Sequence, residues 1–224
     1  MSSDDQIGAT RFVLKANELV RQSHEVVVAG LQFTVLPDVP SPQFFAATEF
    51  LSNAIPYRVE NAFLEIGPGM GAISVIAALR GARKVVAIDI NSDAVANTHI
   101  NATRHGVSDI VRCLEGDVFD PLLCGEKFDT IFWNIPFVYV EDDYQYRSVL
   151  EKAAFDPGYR LTERFLRQVT NWLAPDGRVF VGFGEFGDAE KLRLLAQTNK
   201  LSVSEYASVK AMQGEFTLLQ LTPQ

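Results

Sequence analysis

From residue 62 to residue 199 the chain alternates short apolar runs with longer segments of helical periodicity. The runs are AFLEIG, KVVAIDI, IVRCLEGD, FDTIFWN and RVFVGFG. Between and after them lie GAISVIAALRGA, NSDAVANTHINATRHG, GYRLTERFLRQVTNWLAPDG and DAEKLRLLAQTN. No other feature restricts the fold as much. Apolar runs joined by helices pair as a mostly parallel sheet, with right-handed crossovers that place helices on both faces. The punctuation agrees. Gly81 and Gly106 stop two helices, Asn91 or Ser92 caps one, and a Pro-Asp-Gly turn closes another. Two final runs, LSVSEYASV and GEFTLLQLT, are joined only by KAMQG, which suits an antiparallel hairpin rather than a crossover. The expected fold is therefore an open α/β sheet, doubly wound and Rossmann-like, with one antiparallel strand near the edge.

Ahead of this pattern, residues 7–23 have helical periodicity, and EVVVAGLQFTVLP reads as a hairpin around Ala29-Gly30. A helix is expected from Ser41-Pro42 to Pro56, with Ser41 as cap. The expected organisation is an N-terminal helix and hairpin extension over 1–56 and a ligand-binding domain over 57–224.

Charge narrows the partners. The chain carries 20 Lys+Arg against 28 Asp+Glu, a net charge of −8. That balance gives no long-range attraction for a polyphosphate, and no strong basic patch stands out, so it argues against nucleic acid without excluding it. Cys113 and Cys124 lack zinc-ligand spacing and read as reduced thiols. His24, His99 and His105 are scattered, and no metal site is expected. The polar, acidic start MSSDDQIGAT is wrong for a secretory signal, and no apolar stretch reaches membrane-spanning length. A cytoplasmic protein is the expectation, with the oligomeric state open.

Ligands of open α/β sheets sit at the carboxyl ends of the strands. After the first run stands LEIGPGMGA, whose Gly67, Gly69 and Gly71 permit a tight turn and close backbone approach to a ligand at a helix N-terminus. Two spacings overlap there. Gly67, Gly69 and Ala72 satisfy the dinucleotide pattern G-x-G-x-x-G/A. Glu65, Gly67, Gly69 and Gly71 satisfy E-x-G-x-G-x-G, with Pro68 inside it. Asp89 ends the second run, about 20 residues on, where a carboxylate can accept two ribose hydroxyls. A helix cap is its plainer role. Asp117 follows the third run in GDVF, and the fourth ends in Asn134-Ile135-Pro136-Phe137.

From the glycine loop onward the chain resembles class I S-adenosylmethionine (SAM)-dependent methyltransferases. Asn134-Ile135-Pro136-Phe137 is similar to the (N/D)-P-P-(Y/F) motif of the amino-group methyltransferases. Those include release-factor glutamine methyltransferases and adenine-N6 and guanine-N2 nucleic-acid methyltransferases. The resemblance covers Phe63 to Gly184. It implies that Glu65 helps hold the methionine amino end and that Asp89, with Ile90 beside it, meets the ribose. Asp117 would take the adenine amino group, with the Val118 N–H at the ring. A buried structural acid and a solvated turn acid are the plainer readings of Glu65 and Asp117.

The chemistry of the fourth strand end can be derived. An amide or aniline-like NH2 is a poor nucleophile, because its lone pair is delocalised. Two acceptors that grip its hydrogens steer the lone pair; the Asn134 side-chain oxygen and the Ile135 carbonyl are the expected pair. Pro136 restricts the backbone and Phe137 offers a flat face to a planar group. Ile135 stands where the family has proline, which keeps the carbonyl and is expected to change the pocket wall. In the following segment Tyr139, Tyr144 and Tyr146 interleave with Glu141, Asp142 and Asp143, which suits a cationic or polar acceptor unless the loop is simply solvated. Phe44 and Phe45 are candidates for a lid, or plain core. The extension is shorter than the recognition domain of the release-factor enzymes, which favours a small molecule or a peptide. The expected activity is N-methylation of an amide or amino nitrogen on a small molecule or protein side chain. A nucleic-acid base methyltransferase and, behind it, a nicotinamide-dependent dehydrogenase are the alternatives. A non-catalytic partner protein of the same fold is a third.

Overall fold

The structure, a computed structural model, describes residues 3–211 and 214–224. The chain opens with helix α1 (Ser3–Glu18), hairpin β1 (His24–Val28) and β2 (Leu31–Val35), and helix α2 (Ala47–Ala54). Then come β3 (Ala62–Ile66), α3 (Ala72–Leu79), β4 (Lys84–Asp89), α4 (Ser92–Arg104), β5 (Val111–Glu115) and β6 (Phe128–Asn134). Two three-residue strands follow, β7 (Val138–Val140) and β8 (Phe155–Pro157), with a 3-10 turn at Leu150–Ala153 between them. The chain closes with α5 (Arg160–Gln168), β9 (Leu173–Gly184), α6 (Ala189–Thr198), β10 (Leu201–Ala211) and β11 (Gly214–Pro223).

The seven-stranded sheet runs β10-β11-β9-β6-β3-β4-β5. β3, β4, β5, β6 and β9 are mutually parallel, and β11 lies antiparallel between β9 and β10. The reversed strand thus sits one place in from the edge, as expected. Met212 and Gln213, part of the KAMQG connection, lie outside the described residues.

Strand alternation divides the core into two layers. Phe63, Val85, Ala87, Phe132 and Phe180 face α2, α3, α4 and the β1–β2 hairpin. Leu64, Val86, Ile88, Ile131 and Val179 face α5 and α6. The extension shares the first layer: Val28, Phe33, Val35, Leu51 and Ile55 are buried in it. Backbone groups of β2 are also met by side chains. The amide groups of Asn97 and Asn101 on α4 bond the Thr34 carbonyl, each at 2.8 Å, and accept from the N–H groups of Leu36 and Thr34, each at 2.9 Å. Two asparagines one helical turn apart therefore act as a substitute strand for β2.

Three details differ from expectation. The helix expected from Ser41 starts at Ala47; Ser41 caps only a short turn, its hydroxyl accepting the Gln43 N–H at 3.3 Å and its carbonyl the Phe44 and Phe45 N–H groups. Its N–H donates to the Asn17 side chain at 2.8 Å, and its hydroxyl meets His24 Nε2 at 2.8 Å. The Pro-Asp-Gly turn is present as an excursion inside β9: Thr130 pairs with Arg178 while Phe128 pairs with Leu173. Asp176 there has φ +59. The segment after β6 is also more than a solvated loop. β7 and β8 pair in parallel, and Val138, Val140, Leu150 and Phe155 bury with Leu14 of α1 in a small third core.

Candidate active site

The glycine loop is held by α4. Gly71, at φ +84, is the residue before α3. A Cβ there would lie 2.9 Å from the Thr98 Cα, so both the left-handed backbone and the helix contact require glycine. Thr98 Oγ1 donates to the Gly69 carbonyl at 3.1 Å, and Asn101 Nδ2 donates to the Met70 carbonyl at 2.8 Å. The Gly69 N–H donates to Asp89 Oδ2 at 3.2 Å, and the Asn91 N–H to Asp89 Oδ1 at 3.0 Å. Asp89 thus fixes the loop from the end of β4, while Asn91 caps α4 by accepting from the Asp93 N–H.

Glu65 is fully buried on β3, with Ser74 Oγ of α3 donating to it at 2.5 Å. Burial is the main cause that pushes its carboxyl up to about 8, against the pull of the Ser74 bonds and with help from the Asp89 charge. Burial also raises Asp89. Asp117 stands in a different setting. Arg164 Nη1 on α5 donates to its carboxylate at 2.6 Å, and the same guanidinium reaches Asp120 at 2.5 Å. Val118 follows at φ +52 with its side chain buried. Ile90 is half exposed beside Asp89. Arg164 was missed in the sequence because its partner is 47 residues away.

Asn134 and Phe137 are moulded by two glycines of β9. Asn134 pairs in register with Gly182, and a Cβ on Gly182 would collide with Asn134 Oδ1 and lie 2.9 Å from Leu51 Cδ1. A Cβ on Gly184 would lie 2.6 Å from the Phe137 ring. Gly-Phe-Gly at the end of a β-rich run is unfavourable unless something approaches closely, a signal that marks the place but not the partner. Gly182→Ala is expected to displace the Asn134 carboxamide. Methyl transfer should fall at least about tenfold and stability by roughly 1–3 kcal/mol, with S-adenosylhomocysteine affinity little changed. Steady-state kinetics and calorimetry on the variant check it.

Ile135 corrects an expectation. Its side chain is buried in the layer facing α5 and α6, with Trp133 and Phe183, and Ile135 is absent from the cavity wall. The side chain that stands in place of the family's proline is therefore an anchor in the core rather than part of the pocket wall. Asn134 lines the cavity with Pro136 and Phe137, whereas the Ile135 side chain faces the core.

The cavity has a volume of about 950 Å³ and takes in Glu65, Gly67, Pro68, Gly69, Asp89, Ile90, Asp117 and Val118 at one end, while Gly71 packs on α4 outside its wall. Beyond Asn134 it is walled by Phe45, Phe137, Tyr144, Phe186 and Phe216. Ala9, Thr10 and Val13 of α1 form part of the wall, and so do Phe44 and Phe45. Arg11 holds α1 there: it donates to the Tyr144 hydroxyl at 3.1 Å and stands 3.6 Å from Glu151. Tyr144, Tyr146 and Asp142 of the acceptor segment line the cavity, whereas Tyr139, Glu141 and Asp143 do not. Asp142 is matched by Arg160, which donates to its carboxylate at 3.2 Å. Along the whole wall seven Asp or Glu residues face three Lys or Arg. No group of three His, Cys, Asp or Glu residues able to hold a metal exists among the described residues. No helix among them is long and apolar enough to cross a membrane.

An open sheet of this order, a glycine loop after β3, acids at successive strand ends and an asparagine at the end of β6 define the class: SAM-dependent methyltransferases of the Rossmann-like kind. The chain belongs to the methyltransferase small domain family, whose model matches residues 31–208. A protein of Methanocaldococcus jannaschii described as an N5-glutamine methyltransferase is 31% identical over 69% of this chain and 76% of its own. The ribosomal protein uL3 glutamine methyltransferase of Francisella tularensis is 30% identical over 70% of this chain but only 53% of its own length. The release factor glutamine methyltransferase of Bordetella pertussis is 29% identical over 81% of this chain and 72% of its own. Among solved structures, a 16S rRNA N2-G1207 methyltransferase from T. thermophilus, with AdoMet and guanosine, superposes with TM-score 0.63 and 18% identity over 91% of this chain and 50% of its own. SAM is the cofactor of this family, and the dinucleotide reading of the glycine loop falls away.

Proposed function

We propose that the protein methylates an amide nitrogen, that of a glutamine side chain in a protein. The observation that carries this is the Asn134 carboxamide, set into the cavity wall by Gly182 beyond the cofactor loop. Two further facts support it. Relatives of this chain are described as protein glutamine methyltransferases, two of them of uL3 and of release factor. The excess of carboxylates along the cavity also disfavours a nucleic-acid backbone and suits a polypeptide.

SAM supplies an activated methyl group on a sulfonium centre. The fully buried Glu65 carboxyl, the glycine cradle and the paired Asp89 make a donor set that fits it. Glu65 would hold the ammonium, Asp89 the ribose hydroxyls, and Gly67, Pro68 and Gly69 would give backbone approach, with Gly71 seating the loop on α4. Ile90 and Val118 would flank the adenine, with Asp117 accepting from its amino group while tied to Arg164. Asn134 Oδ1 accepts a hydrogen of the acceptor NH2 and orients its lone pair. Pro136 and Phe137 shape the planar slot, and the Ile135 carbonyl is the candidate for the second hydrogen. No base need act before attack, because nitrogen sheds its proton after it becomes cationic. The N-terminal helix, through Ala9, Thr10 and Val13, would keep water from the reacting groups.

Tritiated SAM incubated with recombinant release factor, uL3, ribosomal RNA and free glutamine tests the acceptor. Label on the glutamine of one of the two proteins is the expected result; label only on RNA or on the free amino acid would sink the proposal. Proton linkage tests the cofactor end. Glu65 ionises near 8 in the folded protein, so it is largely protonated at pH 7. A ligand ammonium would favour its carboxylate, so binding should release a proton below about pH 8 and tighten as pH rises towards it. Calorimetry with S-adenosylhomocysteine in two buffers of different ionisation enthalpy should show release of nearly one proton at pH 7, abolished in Glu65→Gln.

A further inference from the structure

The acceptor loop lacks the ring that a proline at position 135 would supply, yet one of its carbonyls is held from outside by an unusual residue. Tyr159 is fully buried, and its hydroxyl donates to the Phe137 carbonyl at 2.5 Å. The same oxygen accepts from the Asp188 N–H at 2.8 Å. Asp188 is the cap of α6, where its carboxylate accepts from the Lys191 N–H. One phenolic oxygen therefore joins the loop after β6 to the start of α6, across chain separations of 22 and 29 residues. Tyr159 reaches that place at a cost. Its backbone is left-handed, at φ +58, an arrangement that costs a non-glycine residue of order 1 kcal/mol or more.

Its neighbours over-determine this position. The Tyr159 N–H donates to the Asp156 carbonyl at 3.1 Å, and its carbonyl accepts from the Glu163 N–H at 2.8 Å. Asp156 in turn accepts from the N–H groups of Leu161 and Thr162 at the start of α5. Burial raises the Tyr159 hydroxyl well above the ordinary phenol range, so it stays a donor throughout the pH range of the enzyme. On the other side of the loop, Gly184 leaves room for the Phe137 ring, and the Val138 N–H donates to the Ala154 carbonyl at 3.0 Å.

We propose that Tyr159 is a positioning residue for methyl transfer: its hydroxyl fixes the Phe137 carbonyl, and so holds Asn134 and the aromatic wall in register with the acceptor nitrogen. This rests on the reading of Asn134 as the group that grips that nitrogen. Tyr159 itself is outside the cavity wall and touches no reactant. Its substitution should therefore lower kcat and leave cofactor binding intact. Misplacing a reacting group by even about 1 Å can cost roughly 100-fold.

The test is Tyr159→Phe, which removes one oxygen and keeps the ring. The variant is studied at saturating S-adenosylhomocysteine, which favours the folded state by mass action. Amide exchange followed by mass spectrometry should quicken at least tenfold in the segments holding 137–140 and 188, with little change in β3, β4 and α3. With release factor or uL3 as acceptor, kcat should drop tenfold or more while KM for SAM and affinity for S-adenosylhomocysteine stay within threefold. Unchanged exchange in 137–140, or a uniform rise over the whole chain, overturns the proposal, as does wild-type kcat. Asn134→Ala separates the two levels. If that variant loses turnover and Tyr159→Phe does not, only the role of Tyr159 fails. If Asn134→Ala retains turnover, or the wild-type protein methylates neither acceptor, the underlying reading fails, and the exchange experiment still decides whether Tyr159 holds the loop. Should Tyr159→Phe not fold, carbon NMR of the wild-type tyrosines in mixed H2O and D2O replaces it. A Tyr159 hydroxyl proton in fast exchange there overturns the proposal.

Discussion

Asn134→Ala should cut methyl transfer by about 100-fold or more while leaving affinity for S-adenosylhomocysteine within about threefold. The size of the effect follows from what the side chain does. It contributes no proton and no covalent bond. It presents an oriented dipole to a nitrogen that acquires positive charge, and such preorganised groups are worth about 2.7–4 kcal/mol each in comparable sites. The split between turnover and binding follows from place: Asn134 ends β6, whereas the loop and the carboxylates at the cofactor end of the cavity stand on or just after β3, β4 and β5. Rapid-quench transfer measurements on the variant, with calorimetry in parallel, decide the matter. A variant with wild-type turnover would remove Asn134 from the mechanism.

Gly71→Ala should strike stability and cofactor binding together. The added Cβ meets Thr98 at its Cα, a backbone atom of α4 that cannot rotate away, and the residue must also hold φ +84. The left-handed backbone costs roughly 1–2 kcal/mol and the overpacking a further 1–3. For a chain of this size about 3 kcal/mol corresponds to a fall in Tm of roughly 6–12 °C. Gly106→Ala is the matched control. It also carries a positive φ, +68, but nothing lies within 4 Å of its added Cβ. It should lose only the backbone share, about 1 kcal/mol, and bind S-adenosylhomocysteine normally. Thermal melts of the two variants with and without ligand give the comparison; equal losses would show that helix contact at Gly71 is not the reason for the glycine.

Much of this was legible because it is local. Period and punctuation fix a helix or strand from a dozen neighbouring residues, so the strands of the sheet and most of its helices could be read directly. Ser41 misled because its cap signal is real but serves only the turn at 42–45, anchored by His24 and Asn17, which only folding brings near. β7 and β8 escaped because three-residue strands carry no period. Their pairing exists because α1 and the turn at Leu150–Ala153 bury one face of them. At the site, Glu65, Asp89 and Asn134 could be placed because strand ends are countable. Arg164, Gly182 and Tyr159 could not, since each acts on a residue 22 to 48 positions away.

The residue order alone determined a Rossmann-like sheet with a glycine loop, acids at successive strand ends and an asparagine where a methyltransferase acceptor loop would be. The sheet and its strand ends follow from backbone preference and alternation, which act between neighbours in the chain; the acceptor loop was read from its resemblance to the family motif. The tertiary structure decided which atoms of that loop reach the cavity. It turned Ile135 into the core, set Asn134 against a strand without a side chain, and tied Phe137 to Tyr159. Those outcomes depend on packing and hydrogen bonds between segments that approach only when the sheet closes.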